Sequence, residues 1–296
     1  MSSLSCSTGI EGTKTIKMTR AEKRENRPTP EDLLMADLVP QHLADWNIGK
    51  TFTIVDEKAR LVLSPEMPMP DSVSGIKLRY AGVESRPTPD GKEETLILFF
   101  DVRNAIRYAT GRAPGIATES ISAVDIPMIV DDDLVESAAK LLVGKNLWTR
   151  TALWYDNEGN PIEGRKYVPV SVSAVRPGNA FFPFIIDFYD ENGNAASLFM
   201  NIKNEAGIGA ESRTFPALFS LADPKISYPT ISPEVWELIT KGEVRIGMTK
   251  EECKLSLGNP SEVDAGHNWN NLVDIWKYKD GTFLYFEDGR LSNFRH

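Results

Sequence analysis

The sequence holds few residues that could carry out nucleophilic catalysis. Its two cysteines are Cys6 and Cys253, and its three histidines stand at positions 42, 267 and 296. Because a nucleophile needs a base to activate it, the one pair with suitable chemistry is Cys253 with His267, as in a cysteine-hydrolase dyad. No third residue that would orient the histidine is indicated, and Cys253 is expected to face a core. We therefore predict no catalytic residue.

Three short motifs resemble ligand sites, but each is incomplete or has a simpler structural explanation. Gly49-Lys50-Thr51 has the end of a phosphate-binding loop, yet Ala44 stands where that loop needs its first glycine. Asp131-Asp132-Asp133 has the ligand type that hard cations prefer, but capping and the helix dipole explain three acids at a helix start. In Asp190-Glu191-Asn192-Gly193-Asn194 the glycine comes too early for a calcium loop. The sequence thus predicts no metal site and no cofactor. It leaves open a pair of carboxylates for glycoside hydrolysis, because such residues are paired in space and not along the chain.

The composition is that of a globular, acidic chain. At 296 residues with 41% hydrophobic content, the chain can bury a core, and its length corresponds to about two or three domains. A formal charge of −9 argues against a nucleic-acid partner, since affinity for phosphate backbones comes from clustered Lys and Arg. No apolar run reaches the ~20 residues needed to cross a bilayer. The composition therefore predicts neither a nucleic-acid partner nor a membrane-spanning helix.

The local signals are clearest in the C-terminal stretch, residues 231–296. Ser232 followed by Pro233 has the form of a helix start, and Gly242 ends that helix. Thr249-Lys250-Glu251-Glu252 spells a capping box for a second helix. Aromatic segments with alternating polarity follow, and Asp-Gly turns separate them, which is a strong hairpin signal. These signals predict two helices and then a three-stranded antiparallel meander.

The same stretch resembles a known family. Three segments carry the resemblance to the SmpA/OmlA/BamE domain of bacterial outer-membrane assembly lipoproteins, whose fold is similar to that of β-lactamase inhibitor protein modules: Gly247-Met248-Thr249-Lys250-Glu251-Glu252, Leu257-Gly258-Asn259-Pro260, and Trp276-Lys277-Tyr278 with Leu284 to Leu291. This fold serves as a binding platform, and function must be argued from a site. The resemblance implies a non-enzymatic lipoprotein of the cell envelope that binds a protein partner.

The N-terminal residues 1–29 are expected to form a polar tether. Ser3-Leu4-Ser5-Cys6-Ser7 looks like the end of a bacterial lipobox, in which the cysteine becomes lipidated; the alternative is an ordinary thiol in a tail. The residues after it are polar and cannot bury enough apolar surface to fold alone. We therefore expect Cys6 to anchor the chain in the outer membrane by a lipid, facing either the periplasm or the outside.

A repeated pattern divides the rest of the chain. A turn residue, a short segment that begins with acids, and a glycine that opens an extended run recur around Gly49, Gly144 and Gly247, at intervals of about 100 residues. Short strands with Gly and Pro turns follow the first two glycines, which favours small antiparallel barrels or sandwiches. We predict an α+β chain with two β-rich modules, SH3-like barrels or small sandwiches at residues 30–130 and 131–230, and a helical and meander module at residues 231–296.

Aromatic residues of the meander are the predicted partner-binding site. Trp276 and Tyr278 share one face of a strand, and Phe283 shares a face of the next strand with Tyr285. One sheet face must cover the helices, and the other is open to a partner, where clustered aromatics supply much of the binding energy. Trp276, Tyr278 and Tyr285 are the expected anchors. The alternative is a hydrolase, or an inhibitor of one, with its cleft between modules.

Overall fold

The computed structural model describes residues 27–102, 104–202, 213–268 and 271–296, with the backbone alone at positions 267, 268 and 271. The chain is α+β with mostly β content: two curled antiparallel half-barrel sheets are followed by a smaller antiparallel sheet, and the helices are few and short. This agrees with the predicted fold class at that level of detail. In the described residues no helix is long and apolar enough to span a bilayer.

The first sheet has six antiparallel strands in the order β2-β5-β4-β3-β1-β6. Its core is made by inward side chains such as Phe52, Ile97 and Phe99. β4 is a central strand, as its run of consecutive apolar residues predicts. The elements are α1 (Pro30–Met35), β1 (Thr51–Ile54), β2 (Leu63–Pro65), β3 (Lys77–Pro87), β4 (Glu93–Phe100), β5 (Ala105–Ala109), α2 (Ile116–Ser120) and β6 (Ile129–Asp131).

The second sheet has seven antiparallel strands in the order β13-β7-β10-β11-β12-β8-β9. Helix α3 packs its apolar side, with Leu134, Ala138 and Leu142, on the inner face of this sheet. The elements are α3 (Asp132–Leu142), β7 (Asn146–Thr149), β8 (Leu153–Tyr155), β9 (Pro161–Glu163), β10 (Pro169–Pro177), β11 (Phe184–Asp190), β12 (Ala195–Met200), α4 (Phe215–Leu218) and β13 (Phe219–Ser220).

The two sheets have the same strand order. Strand β9 has no counterpart in the first sheet. The other strands of the second sheet, β7, β8, β10, β11, β12 and β13, correspond in chain order to β1 to β6, and each has the same neighbours in its sheet. The likeness extends to a bulge: β3 shifts register between Tyr80 and Gly82, and β10 shifts register between Val172 and Ala174. The first two modules are therefore two copies of one topology.

The three glycines of the sequence pattern share one local structure. Gly49, Gly144 and Gly247 all have positive φ, at 92°, 80° and 94°. Each donates its N–H to a strand carbonyl, of Tyr80, Val172 and Leu291 respectively, at 2.8 to 2.9 Å. In each case the same strand residue donates its own N–H to the carbonyl of the residue after the glycine. The conformation favours glycine, and the paired hydrogen bonds tie each turn to a strand.

The N-terminal helix packs on the second module. Thr29 caps α1 in a capping box with Asp32. Leu38, which follows the helix, lies in the core formed by the second sheet and α3. Glu31 is buried, and its carboxylate accepts a hydrogen bond from the Leu221 N–H at 2.9 Å and another from the Ser220 hydroxyl. Residues 30–38 therefore cross from the start of the first module to the core of the second.

The third module contains α5 (Pro233–Lys241), α6 (Lys250–Leu257) and a four-stranded sheet of β14 (Glu262–Asn268), β15 (Asn271–Lys277), β16 (Phe283–Glu287) and β17 (Arg290–Arg295). The predicted capping box is present: the Thr249 hydroxyl accepts from the Glu252 N–H, and the Glu252 carboxylate accepts from the Thr249 N–H at 2.7 Å. Gly242 ends α5 in the left-handed region. The three predicted strands are β15, β16 and β17, and β14 is an additional strand beside them.

The segment between β9 and β10 fixes the third module to the second. The Arg165 guanidinium donates to the Glu237 carboxylate at 2.6 Å and to the Thr240 hydroxyl at 2.8 Å. The Lys166 ammonium donates to the Ser256 carbonyl at 2.6 Å, at the end of α6. The Tyr167 ring packs edge-on against Trp236 of α5. The helices of the third module thus rest on the second module and leave the far side of their own sheet uncovered by it.

Candidate functional site

Cys253 is a core residue. Its side chain is fully buried beside Trp276 and Phe286 of the third core. Burial raises the pKa of its thiol to about 12, so the reactive thiolate is not formed at neutral pH. The His267 side chain lies outside the described part of the structure. Cys253 therefore has the properties of an inert thiol, as its position in the capped helix predicts.

The acidic run at the start of α3 is paired with two lysines. The Lys50 ammonium lies 2.8 Å from Asp131 and 2.7 Å from Asp133. The Asp132 carboxylate accepts from Thr53 and Lys77 at 2.6 and 2.8 Å. The side chains that resemble a phosphate loop and a cation site are thus bound to each other. Within the described ranges, no group of three or more His, Cys, Asp or Glu side chains is arranged to hold a metal ion.

The loop that approaches a calcium site is a hairpin turn closed by its own residues. The Asp190 carboxylate accepts from the N–H groups of Asn192 and Asn194 and from the Asn194 side-chain amide, at 2.8 to 2.9 Å. The same arrangement recurs in the preceding hairpin, where Asp156 accepts from Glu158 and Asn160. Both turns use the acid to organise the backbone, which explains the residue pattern without a cation.

A small cleft of about 130 Å³ lies where the first two modules meet. Most of the residues that line it are of apolar type, among them Pro40, Met128, Leu134 and Phe181. Asp131 lines it too, and burial raises the pKa of this carboxyl even though Lys50 lies beside it. The cleft therefore contains one perturbed carboxylate, which is already paired with the Lys50 ammonium.

The helix-facing side of the third sheet contains two of the three predicted anchors. Trp276 is only 8% exposed and stacks against Phe286 at 4.8 Å between ring centroids. Tyr278 packs on the same core, and its hydroxyl donates to the Gly258 carbonyl at 3.2 Å. Both side chains support the helices, so Trp276 and Tyr278 do not lie on an exposed face as predicted. Tyr285 lies on the opposite side of the sheet.

The opposite side of this sheet presents apolar side chains that belong to none of the cores. Val273 and Ile275 of β15 alternate with core-facing residues, as do Phe283 and Tyr285 of β16. Ile275 stands directly opposite Tyr285 in the ladder. All four are half-buried, and in the described residues none packs into any of the three hydrophobic clusters. We call Val273, Ile275, Phe283 and Tyr285 the open face.

Charged residues border the open face on two sides. On the β14 side, Lys277 forms ion pairs with Asp264 at 2.9 Å and Glu262 at 3.1 Å. These carboxylates, Asp264 first, raise the pKa of Lys277. On the β17 side, the Arg295 guanidinium lies 4.6 Å over the Phe283 ring. An apolar centre with a charged rim is the arrangement found at protein interfaces.

Sequence reasoning overlooked half of the open face. Strand alternation predicts a shared face for Phe283 and Tyr285, but the predicted anchors do not include Val273 and Ile275. The available signal was the pattern Val273-Asp274-Ile275-Trp276-Lys277, which places aliphatic residues on the face opposite Trp276. Cys6, the predicted lipidation site, lies outside the described residues.

Comparison with known proteins gives no match: none is found among protein-family models, among curated proteins or among solved structures. The resemblance of the third module to the SmpA/OmlA/BamE domain therefore stays a prediction from the sequence. The function has to be argued from the geometry of the open face and its rim.

Proposed function

We propose that this chain is a non-enzymatic binding protein whose third module holds a protein partner on the open face. The observation that carries the proposal is the position of Val273, Ile275, Phe283 and Tyr285, which form an apolar surface outside the three cores. Apolar area removed from water contributes about 25 cal/mol per Å², so a partner that covers this surface gains binding energy. Aromatic side chains such as Tyr285 are frequent anchors at interfaces.

The rest of the proposal follows from the sequence. We propose that the protein belongs to the bacterial cell envelope and that Cys6 carries a lipid that holds it at the outer membrane, with the first two modules as spacers. SH3-like barrels are the proposed class for those modules, and a BamE-like fold is the proposed class for the third. Support comes from the lipobox-like Ser3-Leu4-Ser5-Cys6 and from the resemblance of the C-terminal motifs.

The alternative of a hydrolase with a cleft between modules rests on one observation, the raised pKa of Asp131 in the small cleft. Perturbed carboxylates are frequent in active sites. Here the carboxylate forms a buried ion pair with Lys50 at 2.8 Å, so Asp131 compensates the charge of a buried lysine. The open face is therefore the better supported working surface.

The test of the open face compares capture of envelope proteins by matched variants of the full chain. Wild type, Ile275→Ser, Tyr285→Ser and the control Tyr189→Ser are immobilised, and the retained proteins are quantified by mass spectrometry. Tyr189 is a half-exposed tyrosine of the second sheet, so its replacement removes a similar side chain elsewhere. We expect one partner to be retained by wild type and by Tyr189→Ser and to fall about tenfold or more with both open-face variants. Equal capture by all four proteins would reject the open face.

Lipidation at Cys6 has its own test. The natural gene is expressed in its host, and the protein is followed by membrane fractionation and mass spectrometry, with Cys6→Ser as the control. We expect a lipid mass on the Cys6 peptide and loss of membrane association in Cys6→Ser. An unmodified Cys6 in wild-type protein would contradict the anchor and leave the open-face proposal intact.

A further inference from the structure

The two edges of the third sheet differ in how they are closed. The outer edge of β17 is covered by the Gly247 turn, because Gly247 donates to the Leu291 carbonyl at 2.8 Å and Leu291 donates to the Met248 carbonyl at 2.7 Å. The opposite edge is β14, which pairs only with β15 in the sheet. One edge of this sheet is thus closed by the chain itself, and the other ends on β14.

The register shows which groups of β14 point outward. Tyr278 donates its N–H to the Thr282 carbonyl, which fixes the phase of hydrogen bonding between β15 and β16. Because hydrogen-bonded and non-hydrogen-bonded pairs alternate, Lys277 and Ile275 then bond to Glu262 and Asp264 of β14. The N–H and C=O groups of Val263 and Ala265 therefore point away from the sheet. Among the described residues no hydrogen bond to another element uses their N–H groups.

The other sheet edges are short or blocked. β2 and β9 have three residues each, and proline ends the first and begins the second. β13 has two residues, and β6 is fully buried. Short strands and prolines are devices that keep sheet edges from pairing with other chains. β14 has seven residues and no proline, so it is the longest edge strand in the described sheets and lacks these protections.

The side chains of β14 select the kind of strand that fits beside it. Glu262 and Asp264 lie on the side of the open face, and their side chains are 66% and 63% exposed. Together with Lys277 they leave a net charge of −1, which favours lysine or arginine on a neighbouring strand. On the other side Val263 is 53% exposed, and Ala265 follows it in the same direction. Basic and apolar residues in alternation match both sides of β14.

From these observations we propose that β14 is a β-augmentation edge that takes up an extended segment of a partner protein in which basic and apolar residues alternate. Backbone hydrogen bonds to Val263 and Ala265 supply affinity, and the acids of β14 supply sequence preference. The inference rests on the proposed function, because the added strand would continue the sheet that carries the open face. It adds the form of the partner and the edge at which it binds.

The test uses the full chain and a synthetic peptide of alternating lysine and valine. Ala265→Pro removes an outward N–H without removing a bond to β15, since proline is tolerated on the free side of an edge strand. Ala265→Ser is the matched control. We expect the peptide to slow hydrogen exchange at the Val263 and Ala265 amides, and its affinity to fall about tenfold or more in Ala265→Pro and stay unchanged in Ala265→Ser. Two control peptides, one with glutamate for lysine and one with N-methylated valines, should bind at least about tenfold more weakly.

The outcomes separate the edge from the open face. Unchanged exchange of the Val263 and Ala265 amides at millimolar peptide would overturn the edge proposal, as would equal binding by Ala265→Pro and wild type. A third outcome would also overturn it: if the peptide no longer binds Ile275→Ser but still binds Ala265→Pro, the peptide lies on the open face. If wild type is a dimer and Ala265→Pro is a monomer, a second copy of the chain occupies the β14 edge, and the partner proposed here is wrong.

Discussion

The Lys50 ammonium lies 2.8 Å from the Asp131 carboxylate, and both side chains are only 2% exposed. Lys50 follows Gly49 in the turn of the first module, and Asp131 is the residue before α3. Because α3 packs on the second module, the pair joins the two modules. Removing one partner of a buried ion pair leaves an uncompensated charge, and we expect Lys50→Met to cost about 3–5 kcal/mol in urea unfolding. Lys77→Met, which removes an exposed lysine from the neighbouring Asp132, should cost less than about 1 kcal/mol.

The cost of Lys50→Met should depend on pH in a defined direction. Burial already raises the pKa of Asp131, and loss of the Lys50 charge raises it further. A carboxyl with a raised folded-state pKa destabilises the fold where it is ionised and ceases to do so as pH falls below that pKa. The difference between Lys50→Met and wild type should therefore shrink on acidification. A difference that grows towards low pH would show that Asp131 is not the group left unpaired.

Glu31 should make the docking of α1 sensitive to acid. Burial raises its pKa, but the Leu221 N–H, the Arg150 charge and the Ser220 hydroxyl outweigh this and hold the pKa below its usual range. A lowered carboxyl pKa contributes stability above the ordinary value of about 4.3, and the contribution is lost as pH falls through the folded-state pKa. The protection factors of the amides in residues 30–38, which compare each exchange rate with that of an unstructured chain at the same pH, should therefore fall in acid. Glu31→Gln should lower these protection factors at neutral pH, and the exposed control Asp37→Asn should not.

The capping box at Thr249 gives a smaller, local effect. Thr249→Ala leaves the Glu252 N–H without its acceptor and should lower the free energy of unfolding of the third module by about 1 kcal/mol. Thr249→Ser keeps the hydroxyl and should stay close to wild type. A Thr249→Ala protein as stable as wild type would mean that the hydrogen bond contributes nothing to holding α6.

The two faces of the third sheet should respond differently to mutation. Trp276→Ala removes a buried indole from the third core and should cost about 3–5 kcal/mol of stability. Tyr285→Ser lies outside that core and should cost about 1 kcal/mol or less while weakening partner capture. Thermal unfolding of both variants measures these two losses of stability. Similar losses of stability in the two variants would mean that Tyr285 supports the fold as Trp276 does.

Sequence reasoning succeeded where the deciding contacts are local. The capping box at Thr249 and the hairpin loop at Asp190 depend on residues within a few positions, and both have the predicted structure. The 3-10 helix Glu57–Leu61 has a local cap of the same kind, since the Asp56 side chain accepts from the Lys58 N–H. The three-residue β2 follows it.

The long-range contacts could not be read from the sequence. The hydrogen bond from the Leu221 N–H to Glu31 joins residues 190 positions apart, and no local pattern indicates it. β14 was missed because its alternation of acids with small residues becomes a strand only beside β15. For Trp276 and Tyr285 the alternation showed that each strand has two faces. It did not show which face covers the helices, since both faces carry apolar residues.

The crossing of residues 30–38 to the second module has a mechanical consequence. A pull on the chain at residue 27 is transmitted first to α1, whose Glu31 is held by the backbone of residue 221, and only then to the first sheet. The second module therefore takes the load before the first, although the first is nearer along the chain. As tension rises, we expect the docking of α1 to yield before either sheet opens, so that residues 30–38 extend first.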